Sequence, residues 1–444
     1  MPAQLRGPRF PPLQTLHFMK DTAGFFRECA ERYGDPFIAK LPMGTIAVTG
    51  DPEGLREIFS ADPAVFEPLS RVVLEPVVGA NSLLLLGGER HRRERRLLMP
   101  PFHGERMRAY GELMRKSVLQ ATEGLRPGEP LVALRMTQTL SLEIIIRAVF
   151  GVEEPERVRR FGEAIAAYME SYTPLLMLMV PMRRAFGGMG PWARFQRNTQ
   201  ALDALLTEQI ARRRADSQNG QDILALLLSA RDEEGQPLSD RELKDELLTM
   251  LIAGHETTAI GMAWALYWLL RTPEAKQRLD EELGALGTDP EPEALSRLPY
   301  LSAVCDETLR LFPVVALVSR KLLSPLVVKG HELPAGMGIM AAITLAHSNP
   351  TVFPEPGRFR PERFLERKYS PFEYLPFGGG ARRCLGAAFA LFEMKVVLGT
   401  LLSAHRFSLA HDRPIRPVRR NVTMAPEDGV PLLYEGRQTL KKAA

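Results

Sequence analysis

The chain has 444 residues, 45% of them hydrophobic and 25% charged, so it can bury a large core and is neither disordered nor fibrous. A formal net charge of +4 is too small to mark a nucleic-acid binder. The three cysteines, Cys29, Cys305 and Cys384, are odd in number and far apart, which excludes a disulfide framework or a CxxC metal site and fits a reducing cytoplasm.

The N-terminal stretch, about residues 1–20, carries prolines at 2, 8, 11 and 12 and reads as an extended Pro-rich arm with no signal peptide or membrane anchor. Strand-like pieces at 37–41 and 46–49 flank turns at Pro42-Met43-Gly44 and Gly50-Asp51-Pro52, and Asp51 opens a helix. From about Glu89 to Pro273 the spacing of apolar residues is mostly helical, clearest over 142–150, 158–172, 192–214 and 223–231. Ser239-Asp240-Arg241-Glu242 is a capping box. It starts a helix that runs to about Arg271, roughly 50 Å at 1.5 Å per residue. Within it Leu247 to Leu270 approaches membrane-span hydrophobicity, but His255-Glu256-Thr257-Thr258 interrupts the run, so the helix is expected inside protein. Pro273 begins another helix and 301–312 a further one. Short strands at 314–318 and 325–329 follow, then an irregular proline-rich stretch over 349–376, a glycine–cysteine loop, a last helix to about Ser403, and a tail of hairpin strands. No repeat or linker marks a boundary, so 1–444 reads as one domain.

Three constellations carry chemistry. In Phe377-Gly378-Gly379-Gly380-Ala381-Arg382-Arg383-Cys384-Leu385-Gly386 a thiol follows three glycines and two arginines at the start of a helix. Glycines let main chain approach a flat ligand, and the helix start and arginines favour a thiolate, the state that ligates haem iron. Taken alone, the same thiol could be a small buried cysteine beside a turn. Glu307 and Arg310 share a helix face, and Arg363 in Pro361-Glu362-Arg363-Phe364 is available as a third member of a buried ionic set. An isolated ExxR is more often a solvated ion pair. Glu256 and Thr257 place a carboxylate and a hydroxyl in a buried helix, where they can pass protons from solvent. Gly254 is expected to let that helix open and leave a groove. A zinc-protease HExxH is excluded, because residue 259 is alanine, and His255 is expected to make a salt bridge or hydrogen bond.

With these residues in view, the chain resembles the cytochrome P450 family. The resemblance rests on His91-Arg92-Arg93-Glu94-Arg95, Ala253-Gly254-His255-Glu256-Thr257-Thr258, the ExxR at 307–310, the PERF at 361–364 and the cysteine loop at 377–386, in that family's order and from about residue 35 to 435. It implies a mainly α fold with small β-sheets, with haem b (heme) lying between the long central helix and the cysteine-ligand helix. It implies Cys384 as the iron's axial ligand, with His91, Arg95, Arg320 and Arg382 as contacts of the haem propionates. Ala253, Phe377 and Gly386 belong to the implied cofactor contacts, and Glu256 and Thr257 to catalysis. Arg92, Arg93 and Arg96 are expected to form a solvated basic face.

The resemblance also places a substrate pocket at Val72, Leu83, Tyr172, Met177, Val314, Val315, Leu317 and Met424. The set is apolar, which suits a lipophilic substrate. Terpenoids and fatty acids rank first, because Leu97 to Met107 resembles cyanobacterial and myxobacterial members; steroid or polyketide-like molecules remain open. The implied reaction is O2-dependent hydroxylation. Its electrons would come from NAD(P)H through a ferredoxin and a ferredoxin reductase, since 444 residues leave no room for a fused reductase. A cytoplasmic monomer without nucleic acid is expected. Two alternatives stand beside it: a peroxide-driven fatty-acid hydroxylase, whose members have Arg-Pro in place of Glu256-Thr257, and a non-catalytic haem-binding sensor.

Overall fold

Two apolar runs separated by the turn at Pro42-Met43, Phe37–Leu41 and Gly44–Thr49, form an antiparallel pair, and the second, buried over Ile46 to Thr49, continues into a larger sheet. The structure, a computed structural model, describes residues 5–69, 71–102, 106–173, 176, 181, 183–184, 187–216, 220 and 222–438. The fold is mainly helical with small sheets. Two compact units divide the chain: Met1–Leu69, Thr122–Thr137 and Thr257–Ala444 form one, and Ser70–Ala121 with Gln138–Glu256 the other.

The first unit is built around a five-stranded sheet. Its spatial order is Phe37–Leu41, Gly44–Thr49, Gly338–Ala342, Leu317–Leu322 and Phe66–Pro68. Only Gly44–Thr49 and Gly338–Ala342 run parallel. The Asp51 carboxylate accepts the Glu53 N–H at 2.9 Å and caps the helix Pro52–Ser60, which packs Leu55, Ile58 and Phe59 on one sheet face. The strand expected at 314–318 forms instead at Leu317–Leu322, where each residue finds a partner on Gly338–Ala342 or Phe66–Pro68. Strand position is set by pairing, not by the local run of valines. The N-terminal arm is not extended throughout, because Pro11–Lys20 is helical. Its prolines sit in the first turn, where no N–H is required. Buried Gln14 ties it down, donating to the Pro8 carbonyl and accepting the Lys40 N–H, both at 2.9 Å.

Helices complete this unit. Pro273–Gly284, Pro299–Leu311 and Ala387–Ala404 form where proline starts or apolar periodicity was read. Among the described residues Ala387–Ala404 alone is long and apolar enough to cross a membrane, and 67% of it is buried in the fold. From residue 257 the unit holds the second half of the long helix Asp240–Arg271, with Ile260, Met262, Ala263, Trp264, Ala265 and Leu266 fully buried.

The second unit is helical: Arg71–Val78, Gly88–Leu98, Pro155–Ser171, Gly190–Ala215, Ile223–Ser229 and the first half of the long helix. The capping box forms as read: the Ser239 N–H donates to Glu242 at 2.8 Å and the Glu242 N–H to Ser239 Oγ at 3.3 Å. Pro155–Ser171 and Gly190–Ala215 pack through Tyr168 on Phe195, and Asn198 donates to the Ala167 carbonyl at 2.7 Å.

Candidate active site

Cys384 lies two residues before Gly386, the N-cap of Ala387–Ala404, and its N–H donates to the Phe377 carbonyl at 3.0 Å. Its thiol is exposed. Cys29 and Cys305 are buried, and burial pushes their thiols up to about 11 and about 12. The preceding turn is pinned against Phe59. Gly380 has φ +66, and a Cβ there would collide with the Phe59 carbonyl oxygen; a Cβ on Gly379 would come within 2.8 Å of the Phe59 ring. Gly380→Ala combines left-handed strain with that clash and should cost about 2–3 kcal/mol. Thermal unfolding of the variant checks this, and an unchanged midpoint would show that the turn relaxes freely.

Arg320, on Leu317–Leu322, is 7% exposed and lies over the rings of Phe59 and Phe66 at 5.5 and 5.1 Å. Burial and the nearby Arg382 push its guanidinium down to about 10, and burial also lowers Arg382. Among the described residues no carboxylate forms an ion pair with Arg320. Two poorly solvated cations beside an exposed thiol favour a ligand that brings carboxylates. Haem, with two propionates and an iron that takes thiolate, fits this donor set.

Glu307, Arg310 and Arg363 meet as one buried set, each at most 2% exposed. Glu307 Oε2 accepts Arg310 Nε at 2.6 Å; Oε1 accepts Arg310 Nη2, the Arg360 N–H and Arg363 Nε at 2.8, 2.8 and 3.0 Å. Sequence reading missed His347, a lone histidine with no motif around it. It is buried, its Nε2 accepts the Leu375 N–H at 3.0 Å, and its Nδ1 lies 3.2 Å from the Arg310 carbonyl. Burial pushes its pKa down to about 3, so it is neutral and holds one tautomer between these two main-chain segments.

In the second unit His91 and Arg95 stand one turn apart on Gly88–Leu98, His91 4% exposed and Arg95 half-buried. Arg92 and Arg96 are exposed, as expected, but Arg93 is not part of a solvated face. It pairs with Asp232 at 2.6 Å and with the fully buried Glu94 at 2.7 Å. Along the long helix, Leu251 is buried, Ala253 is exposed, and Gly254 and Glu256 are partly exposed. Thr257, the next residue and the first of the other unit on this helix, is partly exposed as well. Burial, and after it the Glu256 carboxylate, push the Tyr172 phenol up to about 12. The helix does not open at Gly254; a Cβ there would come within 2.9 Å of Ile145 Cδ1, so glycine admits a close neighbour. Burial holds His255 neutral, its pKa pushed down to about 4, and among the described residues it makes no salt bridge and its Nδ1 finds no hydrogen-bond partner.

The expected pocket residues belong to both units and differ in exposure. Val314 and Met424 are both buried and adjacent, the Met424 N–H donating to the Val314 carbonyl at 2.8 Å. Leu317 pairs with Ala342, and Val315 is partly exposed. Leu83 is buried, Val72 exposed and Tyr172 partly exposed. Met177 lies outside the described residues.

Comparison with known proteins agrees with this donor set. The family model "Cytochrome P450" matches residues 2–432, across both units. Cytochrome P450 135A1 of Mycobacterium tuberculosis, named for its family without a substrate, is 34% identical over 435 residues, covering 96% of this chain and 94% of its own. Cytochrome P450 135B1 of Mycobacterium bovis is 35% identical over 430 residues, covering 95% and 89%. The solved structure of cyanobacterial CYP120A1 with retinoic acid bound superposes with TM-score 0.84 at 26% identity, covering 98% of this chain and 99% of that one. The chain belongs to the cytochrome P450 family of haem-thiolate monooxygenases. Haem on a cysteine thiolate is its cofactor, and NAD(P)H serves it through partner proteins.

Proposed function

We propose that this enzyme hydroxylates a terpenoid or fatty acid, with steroid-like and polyketide-like molecules ranked below. CYP120A1 binds retinoic acid, an isoprenoid chain ending in a carboxylate, and this chain matches that protein over nearly its whole length. The apolar character of Leu83, Val314, Leu317 and Met424 supports a lipophile. A ferredoxin and its reductase deliver the electrons to a cytoplasmic monomer, and both compact units serve one monooxygenase domain.

Cys384 holds the iron, and Arg320, Arg382, His91 and Arg95 bind the propionates. Ala253, Phe377 and Gly386 would be the remaining contacts of the cofactor. The bound haem supplies oxygen binding and the transfer of one oxygen atom to substrate. Glu256 and Thr257 move the protons that this chemistry consumes; the observation that carries the reading is that this adjacent carboxylate and hydroxyl are both partly exposed on the long helix, within reach of protons from solvent.

Titration of the oxidised enzyme with dodecanoic acid, retinoic acid, a sesquiterpene and a steroid tests the substrate class. A high-spin shift with the first three and a weaker one with the steroid is expected; a steroid response alone would overturn the ranking. Thr257→Ala should lower product formed per NAD(P)H by about tenfold and release the difference as peroxide. Unchanged coupling would remove Thr257 from the proton path.

A further inference from the structure

Consecutive turns of the long helix, all within the second unit, reach back to one short loop. Asp245 Oδ2 accepts both the Asn81 N–H at 3.0 Å and Asn81 Nδ2 at 2.9 Å. Glu246 Oε1 accepts the Leu83 N–H at 2.6 Å. Thr249 Oγ1 lies 2.7 Å from Ser82 Oγ, which itself accepts the Leu84 N–H at 3.2 Å. The loop enters through Gly79, at φ +83, where any Cβ would collide with the Asp245 carboxylate. Residues 79 to 83 are therefore held almost position by position.

The attachment is buried and acidic. Asp245, Glu246, Thr249 and Ser82 are 4%, 1%, 7% and 0% exposed, and the facing Glu94 is 0% exposed. Burial, together with Glu94, Asp245 and Glu242, pushes Glu246 up to about 8, so at neutral pH it accepts the Leu83 N–H as a neutral acid. The surrounding cations reach other acids: Arg93 pairs with Glu94, Arg90 and Arg93 approach Glu242 at 3.8 and 3.7 Å, and Arg241 lies 3.5 Å from Asp245. Polar groups buried this deeply are costly unless bonded, so these directional bonds fix the main chain of the loop beyond what packing of its leucines would do. Beyond the pinned main chain, Leu83, Leu85 and Leu86 turn inward while Leu84 stays 42% exposed.

We propose that Asp245, Glu246 and Thr249 are specificity-positioning residues: they fix the main chain at 81–83 and so set where the apolar wall around Leu83 and Leu84 meets a lipophilic substrate. This rests on the proposed reading of that loop as pocket wall. Glu246→Leu strands the Leu83 N–H, whereas Glu246→Gln keeps the acceptor, the shape and the neutral charge.

Dodecanoic acid and retinoic acid, followed by the high-spin shift, are the probes. Glu246→Leu should weaken their binding at least about tenfold, with turnover at saturation and the reduced carbon-monoxide spectrum unchanged. Glu246→Gln should bind within about twofold of the parent. Backbone amide exchange in peptides covering 79–86 should accelerate in the leucine variant only, with 299–311 unaffected. Thr249→Val should give a smaller effect of the same kind, and it decides the question if Glu246→Leu fails to fold. Equal binding by Glu246→Leu, equal impairment of Glu246→Gln, or exchange accelerating across the whole chain would each overturn the proposal. If neither probe shifts the parent spectrum, the substrate reading falls, and exchange over 79–86 alone decides whether the loop is held as described.

Discussion

Cys384→Ala is expected to abolish the red-shifted absorption of the reduced, carbon-monoxide-treated protein and to reduce hydroxylation to background. That absorption reports a thiolate on the iron, and an alanine side chain supplies no ligand. The other two thiols cannot take over. Cys29 and Cys305 are buried, and burial holds both well above the ordinary thiol range, so neither is available as thiolate at neutral pH. Cys384 differs because its loop is defined on both sides, by its N–H on the Phe377 carbonyl and by the glycine turn against Phe59. The effect should therefore be local: Cys384→Ala should keep the parent far-ultraviolet circular dichroism, and Cys29→Ala and Cys305→Ala should keep the parent spectrum. A red-shifted band surviving in Cys384→Ala would place the ligand elsewhere.

How much of this was legible in sequence depended on whether the signal was local. The capping box at Ser239 and the proline starts at Pro52 and Pro273 carry their own chemistry, and helices begin at or next to them. The strand after Pro313 was misplaced because its register is fixed by Gly338–Ala342, far along the chain. Pro11–Lys20 was missed because prolines read as breakers also suit a first helical turn. At the candidate site, candidate residues could be named from the family resemblance, but their state could not. That Arg320 is stacked on two rings, that His255 is neutral, and that Arg93 is drawn into a buried acid cluster are properties of neighbours contributed by other elements. His347 and Glu246 gave no signal, since each acts through main-chain groups that no side-chain pattern announces.

Glu307→Gln should be among the most damaging isosteric changes in the chain, lowering stability by about 3–5 kcal/mol and leaving much of the protein without haem. One carboxylate there serves two guanidinium groups at near-zero exposure, so neutralising it leaves two buried cations facing each other with a single amide oxygen. Replacing a whole buried ionic set with apolar residues is often harmless, but that escape is closed here. Arg310 also donates to the carbonyls of His347 and Pro356 at 3.0 and 2.8 Å, and to that of Arg358 at 3.2 Å. Arg363 donates to the Pro354 carbonyl at 3.2 Å. An apolar triple variant would strand these main-chain acceptors along the irregular stretch that leads to the cysteine loop, and each stranded group costs about 1–3 kcal/mol. The triple variant should therefore be no more stable than Glu307→Gln. Thermal unfolding and the ratio of haem to protein absorbance measure both effects. A Glu307→Gln protein with the parent's midpoint and full haem content would mean that the carboxylate is dispensable and that the arginine-to-carbonyl bonds alone hold this stretch in place.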